Sequence, residues 1–303
     1  MRPMSIMRAV AGVAVLAGIG LGVYGFFQGE PERDIVNATR AGDLARVTRL
    51  LERDPALVRT KVYPQAYVRV SQRRDYETRH GRSPWEGRFL IHDAANSGTN
   101  PLPMLELLAA RGADLRVRLK GRTLLHDAAR NGNVQVATWL IDHGADVNAA
   151  IDCADNCVER GWTPLHDAQR FRATEMSELL LARGANIDAT SANGRSALHV
   201  AAATGSLDGA FVLCRYGADP AVKDTNGRTS RDLALAPVPP PDVAYTKPID
   251  PVDLSDWLKV DGGCAKVAAL ARRTGAPVPE DDARRVYGEY ACARGVKDAC
   301  APK

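Results

Sequence analysis

One short frame returns five times along this 303-residue chain: GRFLIHDAANSG from Gly87, GRTLLHDAARNG from Gly121, GWTPLHDAQRFR from Gly161, GRSALHVAAATG from Gly194 and a partial GRTSRDLALA from Gly227. The starts lie 34, 40, 33 and 33 residues apart. A unit of that size cannot bury its own apolar face. Copies must stack on one another, and the core is then shared along the stack.

The copy from Gly121 to Ala149 shows what each unit builds. Thr123 can cap a helix by accepting backbone N–H groups. Leu125, Ala128 and Ala129 share one face of that helix, and Gly132 stops it. Val134, Ala137, Leu140 and Ile141 form a second apolar stripe at helical spacing. Gly144 follows, at a place where the left-handed conformation suits glycine. Each helix is about three turns long or less, too short to stand alone in water. The other copies close in the same way, with Gly112-Ala113-Asp114, Gly144-Ala145-Asp146, Gly184-Ala185-Asn186 and Gly217-Ala218-Asp219.

The recurring TPLH-like, AA-x-x-G and GAD parts, all in register, resemble the ankyrin-repeat family. The resemblance covers about Asp34 to Ala236, with a weaker opening copy in DIVNATRAGDLARVTRLLERDPALV. It implies an all-α solenoid of helix–turn–helix repeats joined by short β-hairpin loops. Beside the array, an N-terminal transmembrane helix and a small helical C-terminal tail are expected. The resemblance also makes His92, His126, His166 and His199 structural. In stacked repeats they stand about 10 Å apart, too far to share one metal.

Met1 to Phe27 is a targeting segment. Arg2 and Arg8 precede an uncharged apolar run, Ala9 to Phe27. That run approaches the ~20 residues needed to span a bilayer and exceeds a typical signal-peptide core. Bulky Tyr24, Phe26 and Phe27 end it, with no small-residue cleavage site. An uncleaved signal anchor is therefore expected rather than a cleaved peptide. Glu30, Glu32 and Asp34 dilute positive charge after the run, so the body of the protein is expected outside the cytoplasm. In a Gram-negative cell this means a single-pass inner-membrane protein with its repeats in the periplasm.

The expected organisation is an anchor at 1–27, a tether at 28–33, the array at 34–236, a Pro-rich linker at 237–252 and a helical, cysteine-containing tail at 253–303. The array carries an Arg-rich insert at 61–86, in which Tyr67 to Val70 alternates like a short strand. The linker holds Pro237, Pro239, Pro240, Pro241, Pro248 and Pro251. Tail helices are expected over Ala265 to Arg273 and Glu280 to Arg294.

Two ladders of side chains recur in the frame. Arg88, Arg122, Trp162, Arg195 and Arg228 each follow a motif glycine, which the resemblance places at hairpin tips. Asp93, Asp127 and Asp167 each follow a motif histidine, near a helix start. Both rows are candidate partner-binding surfaces, since arginine and tryptophan are enriched at binding hot spots. Each also has a plain reading: arginine is common at this position in such repeats, and each carboxylate can be satisfied by its own helix end. Trp162, which breaks the arginine row beside an insertion, is the expected anchor for a partner.

All six cysteines lie from Cys153 onward. Cys153 and Cys157 sit in the insertion AIDCADNCVERG, where a local disulfide is expected outside the cytoplasm. A zinc site there lacks ligands, with His143 the one nearby histidine. Cys214 occupies a core position and is expected as a buried, inert thiol. Cys264, Cys292 and Cys300 fall in the tail.

A formal net charge of +4, with Lys and Arg spread along the chain, leaves no nucleic-acid footprint. Nucleophile elbows, phosphate loops and H-E-x-x-H are absent from the sequence. The expectation is a non-catalytic, monomeric protein-binding module without cofactor or metal, engaging a protein through hairpin tips and the concave helix face. Three narrower readings stay open: an immunity-type inhibitor of a toxic enzyme in the periplasm, an envelope scaffold, or an enzyme with its chemistry in the tail.

Overall fold

The structure, a computed structural model, describes residues 30–59, 61–62, 88–97, 101–153, 157–235, 254, 257–259 and 262–293. Among these, the backbone alternates between inner and outer helices. The pairs are α1 (Glu30–Arg40) with α2 (Leu44–Arg53), α3 (Leu90–Ala95) with α4 (Leu102–Ala110) and α5 (Leu124–Arg130) with α6 (Val134–Asp142). Next come α7 (Pro164–Arg170) with α8 (Thr174–Ala182) and α9 (Ala197–Ala203) with α10 (Leu207–Arg215). A short α11 (Ser230–Ala234) opens a sixth unit.

Local chemistry fixes each unit. The inner helices start with a reciprocal cap. The backbone N–H of Thr123 donates to His126 Nδ1 at 3.2 Å, and Thr163–His166 and Ser196–His199 repeat the geometry. Outer helices are capped by short polar side chains: Asp43 accepts from Arg46 N–H, Asn133 from Val136 N–H and Ser206 from Gly209 N–H. The acidic or amide end of each GAD-type motif folds the returning loop. Asp114, Asp146, Asn186 and Asp219 each accept the backbone N–H two residues on. Gly121 must be glycine twice over. Its φ is +79°, and a Cβ there would lie 2.0 Å from the carbonyl oxygen of Asp152.

Stacking supplies what single units lack. Inner helices pack in series from α1 through α3, α5, α7 and α9 to α11, and outer helices from α2 through α4, α6 and α8 to α10. One apolar core runs the length of the stack, with Leu90, Leu105, Leu125, Leu140, Leu165, Leu180, Leu198 and Leu213 all at most 1% exposed. Each such leucine contributes roughly 1.5–3 kcal/mol on burial. Histidines stitch neighbouring units. The Nε2–H of His126, His166 and His199 donates to the carbonyls of Trp162, Arg195 and Arg228, at 2.9–3.1 Å. These histidines are thus structural elements of the stack. Burial pushes His126 down to about 3 and His166 to about 4, and it lowers His199 as well.

The sixth unit is split. Its inner helix α11 packs on α9, and the outer place beside α10 is taken by α12 (Gly263–Thr274), which returns from the tail. Trp257 is fully buried with its ring 6.0 Å from Phe211, and a Cβ at Gly263 would strike that indole at 1.9 Å. Arg215 and Val278 exchange backbone N–H···O and guanidinium–carbonyl bonds at 2.9 and 3.0 Å. Helix α13 (Glu280–Ala293) packs on α12. The tail helices therefore start and stop close to where the sequence indicates.

Cys214 corrects one expectation. It is not an inert thiol but forms a disulfide with Cys264 of α12. It is buried, as expected, and lies with Cys264 in the shared core where α10 meets α12, the two cysteines 50 residues apart in sequence.

Strands β1 (Lys61–Val62) and β2 (Arg88–Phe89) pair antiparallel and close the base of the insert. Strands β3 (Arg118–Leu119) and β4 (Arg122–Thr123) form a hairpin between units. The expected anchor at 1–27, most of the insert including Tyr67 to Val70, and the linker at 237–252 lie outside the described residues, as does Cys300. Among the described residues, no helix is long and apolar enough to cross a membrane.

Candidate functional site

The two charged ladders do not form two outward surfaces; they meet between repeats. Arg122, at one hairpin tip, turns inward over the next unit. Its guanidinium reaches Asp167 Oδ2 at 2.6 Å and Glu159 Oε2 at 2.5 Å, with Asp127 at 3.9 Å. Burial opposes charge on Arg122, but Asp167, Glu159 and Asp127 outweigh it and raise its pKa. Asp167 has no exposed side-chain surface, and burial lifts its carboxyl to about 6 against the pull of Arg122. At neutral pH it is a carboxylate held by that guanidinium.

The other members follow suit. Arg40 Nε donates to Asp93 Oδ2 at 3.0 Å. Arg195 is 5% exposed with its Nε 3.6 Å from Asp224, and Arg228 grips the same Asp224 at 2.9 Å. Asp224 stays below the usual carboxylate range: burial raises it, and hydrogen bonds from Arg228 and from the backbone N–H of Asn226 outweigh that. For Arg88, the backbone lies in β2 and the side chain is outside the described residues.

Trp162 requires the plainest correction. It has no exposed surface. Its indole packs with Ile151 and Val200 under the insertion, whose backbone closes over it through Ile151 N–H to Trp162 O at 2.7 Å and Gly161 N–H to Ile151 O at 2.9 Å. A residue so covered is the plug of the loop, and no partner can touch it in this state. Arg122, Arg195, Asp93 and Asp167 are likewise too buried to serve as a partner surface, whereas Arg228 and Asp127 are half-buried.

The insertion itself is rigid in construction. Cys153 and Cys157 form a disulfide, and Glu159 bridges Arg122 and Arg170. Arg170 lies over the Trp162 ring on one side and 5.6 Å from the Phe171 ring centroid on the other. Phe171 is one of the few large apolar side chains left exposed, at 38%. From the preceding unit, the exposed guanidinium of Arg130 lies 4.9 Å over the same ring.

Phe171, Arg130, Arg170 and Glu159 were not singled out by sequence. Their signal was present, since Gln169-Arg170-Phe171-Arg172 stands where the preceding unit has Ala129-Arg130-Asn131-Gly132. Beside this patch a shallow groove is lined by Asn96, Ser97, Pro101, Asn131, Asn133 and Gln135, with Asn131 Nδ2 donating to Asn96 Oδ1 at 2.5 Å. Among the described residues no group of His, Cys, Asp and Glu is placed to hold a metal ion. What the arrangement offers is a surface: an exposed aromatic between two guanidiniums, on a scaffold braced by a disulfide and a buried ion-pair network.

No curated protein matches the chain. A family model described as ankyrin repeats (3 copies) matches residues 36–151 and 149–224. That is more than half of the chain and spans the run of stacked helix pairs from α1 to α10. The chain belongs to the ankyrin-repeat family.

Proposed function

We propose that this chain is a non-catalytic, monomeric protein-binding module held on the outer side of the inner membrane, with its repeats in the periplasm. The observation that carries the binding role is the stack itself. Short helices share one continuous core and present an extended face of inner-helix ends, on which Phe171 and Arg130 remain open. Two disulfides, Cys153–Cys157 and Cys214–Cys264, favour an oxidising compartment. The charge asymmetry around the apolar run Ala9 to Phe27 favours the same side and a membrane anchor at 1–27. The array at 34–236, the linker at 237–252 and the tail at 253–303 belong to that reading, and helix α1 begins at Glu30, within the stretch expected as a tether at 28–33.

A narrower reading is inhibition of a toxic enzyme that enters the periplasm. A membrane tether concentrates a binder where such an enzyme arrives, which suits neutralisation better than a diffusible protein would. An envelope scaffold shares the chemistry and differs in its neighbours. Protease digestion of intact cells against spheroplasts, followed by crosslinking of the membrane fraction, tests the proposal. Digestion of the array only after the outer membrane is opened, with an extracytoplasmic protein crosslinked to it, is expected. Protection of the array in spheroplasts contradicts the placement, and an array that captures no protein contradicts the binding role.

A further inference from the structure

Three departures from the repeat pattern converge on the fourth unit. Phe171 puts an aromatic ring where the neighbouring units carry the polar Asn131 and Thr204, and the ring stays 38% exposed. Arg172 adopts φ +57° at the turn where its neighbours use Gly132 and Gly205, a conformation a side chain resists by about 1 kcal/mol or more. It is held there by donating to the Gly205 carbonyl at 2.8 Å. The disulfide-braced insertion sits just upstream, and its Glu159 fixes Arg170 against Phe171. Packing within the array does not require an aromatic at 171 or a side chain at 172, because the third and fifth units stack with Asn131-Gly132 and Thr204-Gly205 in those places.

The charges on the ring are unequal. Arg170 is neutralised by Glu159. Arg130 is exposed, its guanidinium carbon 4.9 Å from the Phe171 ring centroid, and among the described residues no carboxylate lies within ion-pair distance of it. A guanidinium held by stacking keeps its N–H edge open and pre-oriented for a carboxylate, at little entropic cost. Next to it, the amides of Asn131 and Gln135 line the shallow groove and can both donate to and accept from a peptide backbone, while Asn96 is held by donating to the His92 carbonyl and accepting from Asn131.

We propose that Phe171 and Arg130 form the partner-docking surface and that its occupant is an extended, acidic segment of a partner protein. An apolar side chain of that segment rests on Phe171, a carboxylate one to three residues away pairs with Arg130, and the adjoining backbone runs along Asn131 and Gln135. This rests on the protein-binding reading above and specifies its surface and partner chemistry.

The test uses the full-length chain in detergent micelles and a display library of decapeptides, followed by affinity measurement on synthetic peptides from it. Enrichment of sequences with Asp or Glu within three residues of an apolar side chain is expected. Their affinity should fall at least tenfold for Phe171→Asn, which restores the residue type of Asn131, and for Arg130→Glu. Arg130→Lys should lose less, and added salt should weaken binding. Unchanged thermal melts show that these exposed substitutions leave the fold intact. Acidic peptides that bind both variants undiminished, or enrichment of basic peptides, overturn the assigned surface while leaving a binding role in place. A library with no binder, together with no protein crosslinked in cells, overturns both.

Discussion

Arg122 of the third repeat and Asp167 of the fourth lie 2.6 Å apart, buried, and 45 positions apart in sequence. This contact converts two ladders that look like binding surfaces into mortar between repeats. It also accounts for the insertion's position, since Glu159 at its end completes the same network. Charge buried in this way is stable only as a set.

Removal of one partner is therefore severe. Arg122→Ala should destabilise the array by about 3–5 kcal/mol, because Asp167 is left as an uncompensated buried carboxylate. Asp167→Asn combined with Arg122→Met should recover much of that loss. Equilibrium urea denaturation of the two variants checks the order.

Trp162→Ala should cost roughly 3–5 kcal/mol of stability through the cavity it leaves under the insertion. A surface hot spot would instead lose affinity with its melting temperature unchanged. Calorimetry of the variant separates the two.

The Cys214–Cys264 bond closes a long loop and fixes α12 in the outer place of the split sixth unit. Loop-closure entropy assigns it about 4 kcal/mol. Cys264→Ser should leave α1 to α8 protected in hydrogen exchange while amides of α12 and α10 exchange faster. Equal exchange in both forms would mean that Trp257 and Val278 hold the tail without the bond.

Acid should loosen the stack. His126 and His166 are neutral when folded, with pKa values near 3 and 4, against about 6.5 unfolded. Between those limits the unfolded chain binds more protons, so stability rises with pH there, by about 1.4 kcal/mol per pH unit for each histidine. Asp167, raised to about 6, works in the opposite sense between about 4 and 6. The two histidines outweigh it, so the melting temperature should fall as pH drops from 6.5 toward 4. His126→Gln should flatten that slope.

Periodicity carried the repeat architecture a long way. Thr123 caps its helix within a few residues and is legible from the local pattern, and the structural place of His126 came with the family resemblance. The Arg122–Asp167 pairing was not legible, because a repeat pattern aligns equivalent residues and does not tell which row leans over which. Trp162 misled for the same reason: the resemblance put its row at hairpin tips, and the insertion folded back over it. Cys214 needed the return of the tail, which no local pattern encodes. Phe171 was readable in principle, as an aromatic at a turn where the second, third and fifth units have Ser97, Asn131 and Thr204.

The most direct measurement is photocrosslinking in intact cells from a benzophenone amino acid at position 171, with position 183 on the outer-helix side as control. The account predicts adducts from 171 to an extracytoplasmic protein whose crosslinked segment is acidic, and none from 183. Adducts only from 183, or from 171 only to cytoplasmic proteins, would contradict it.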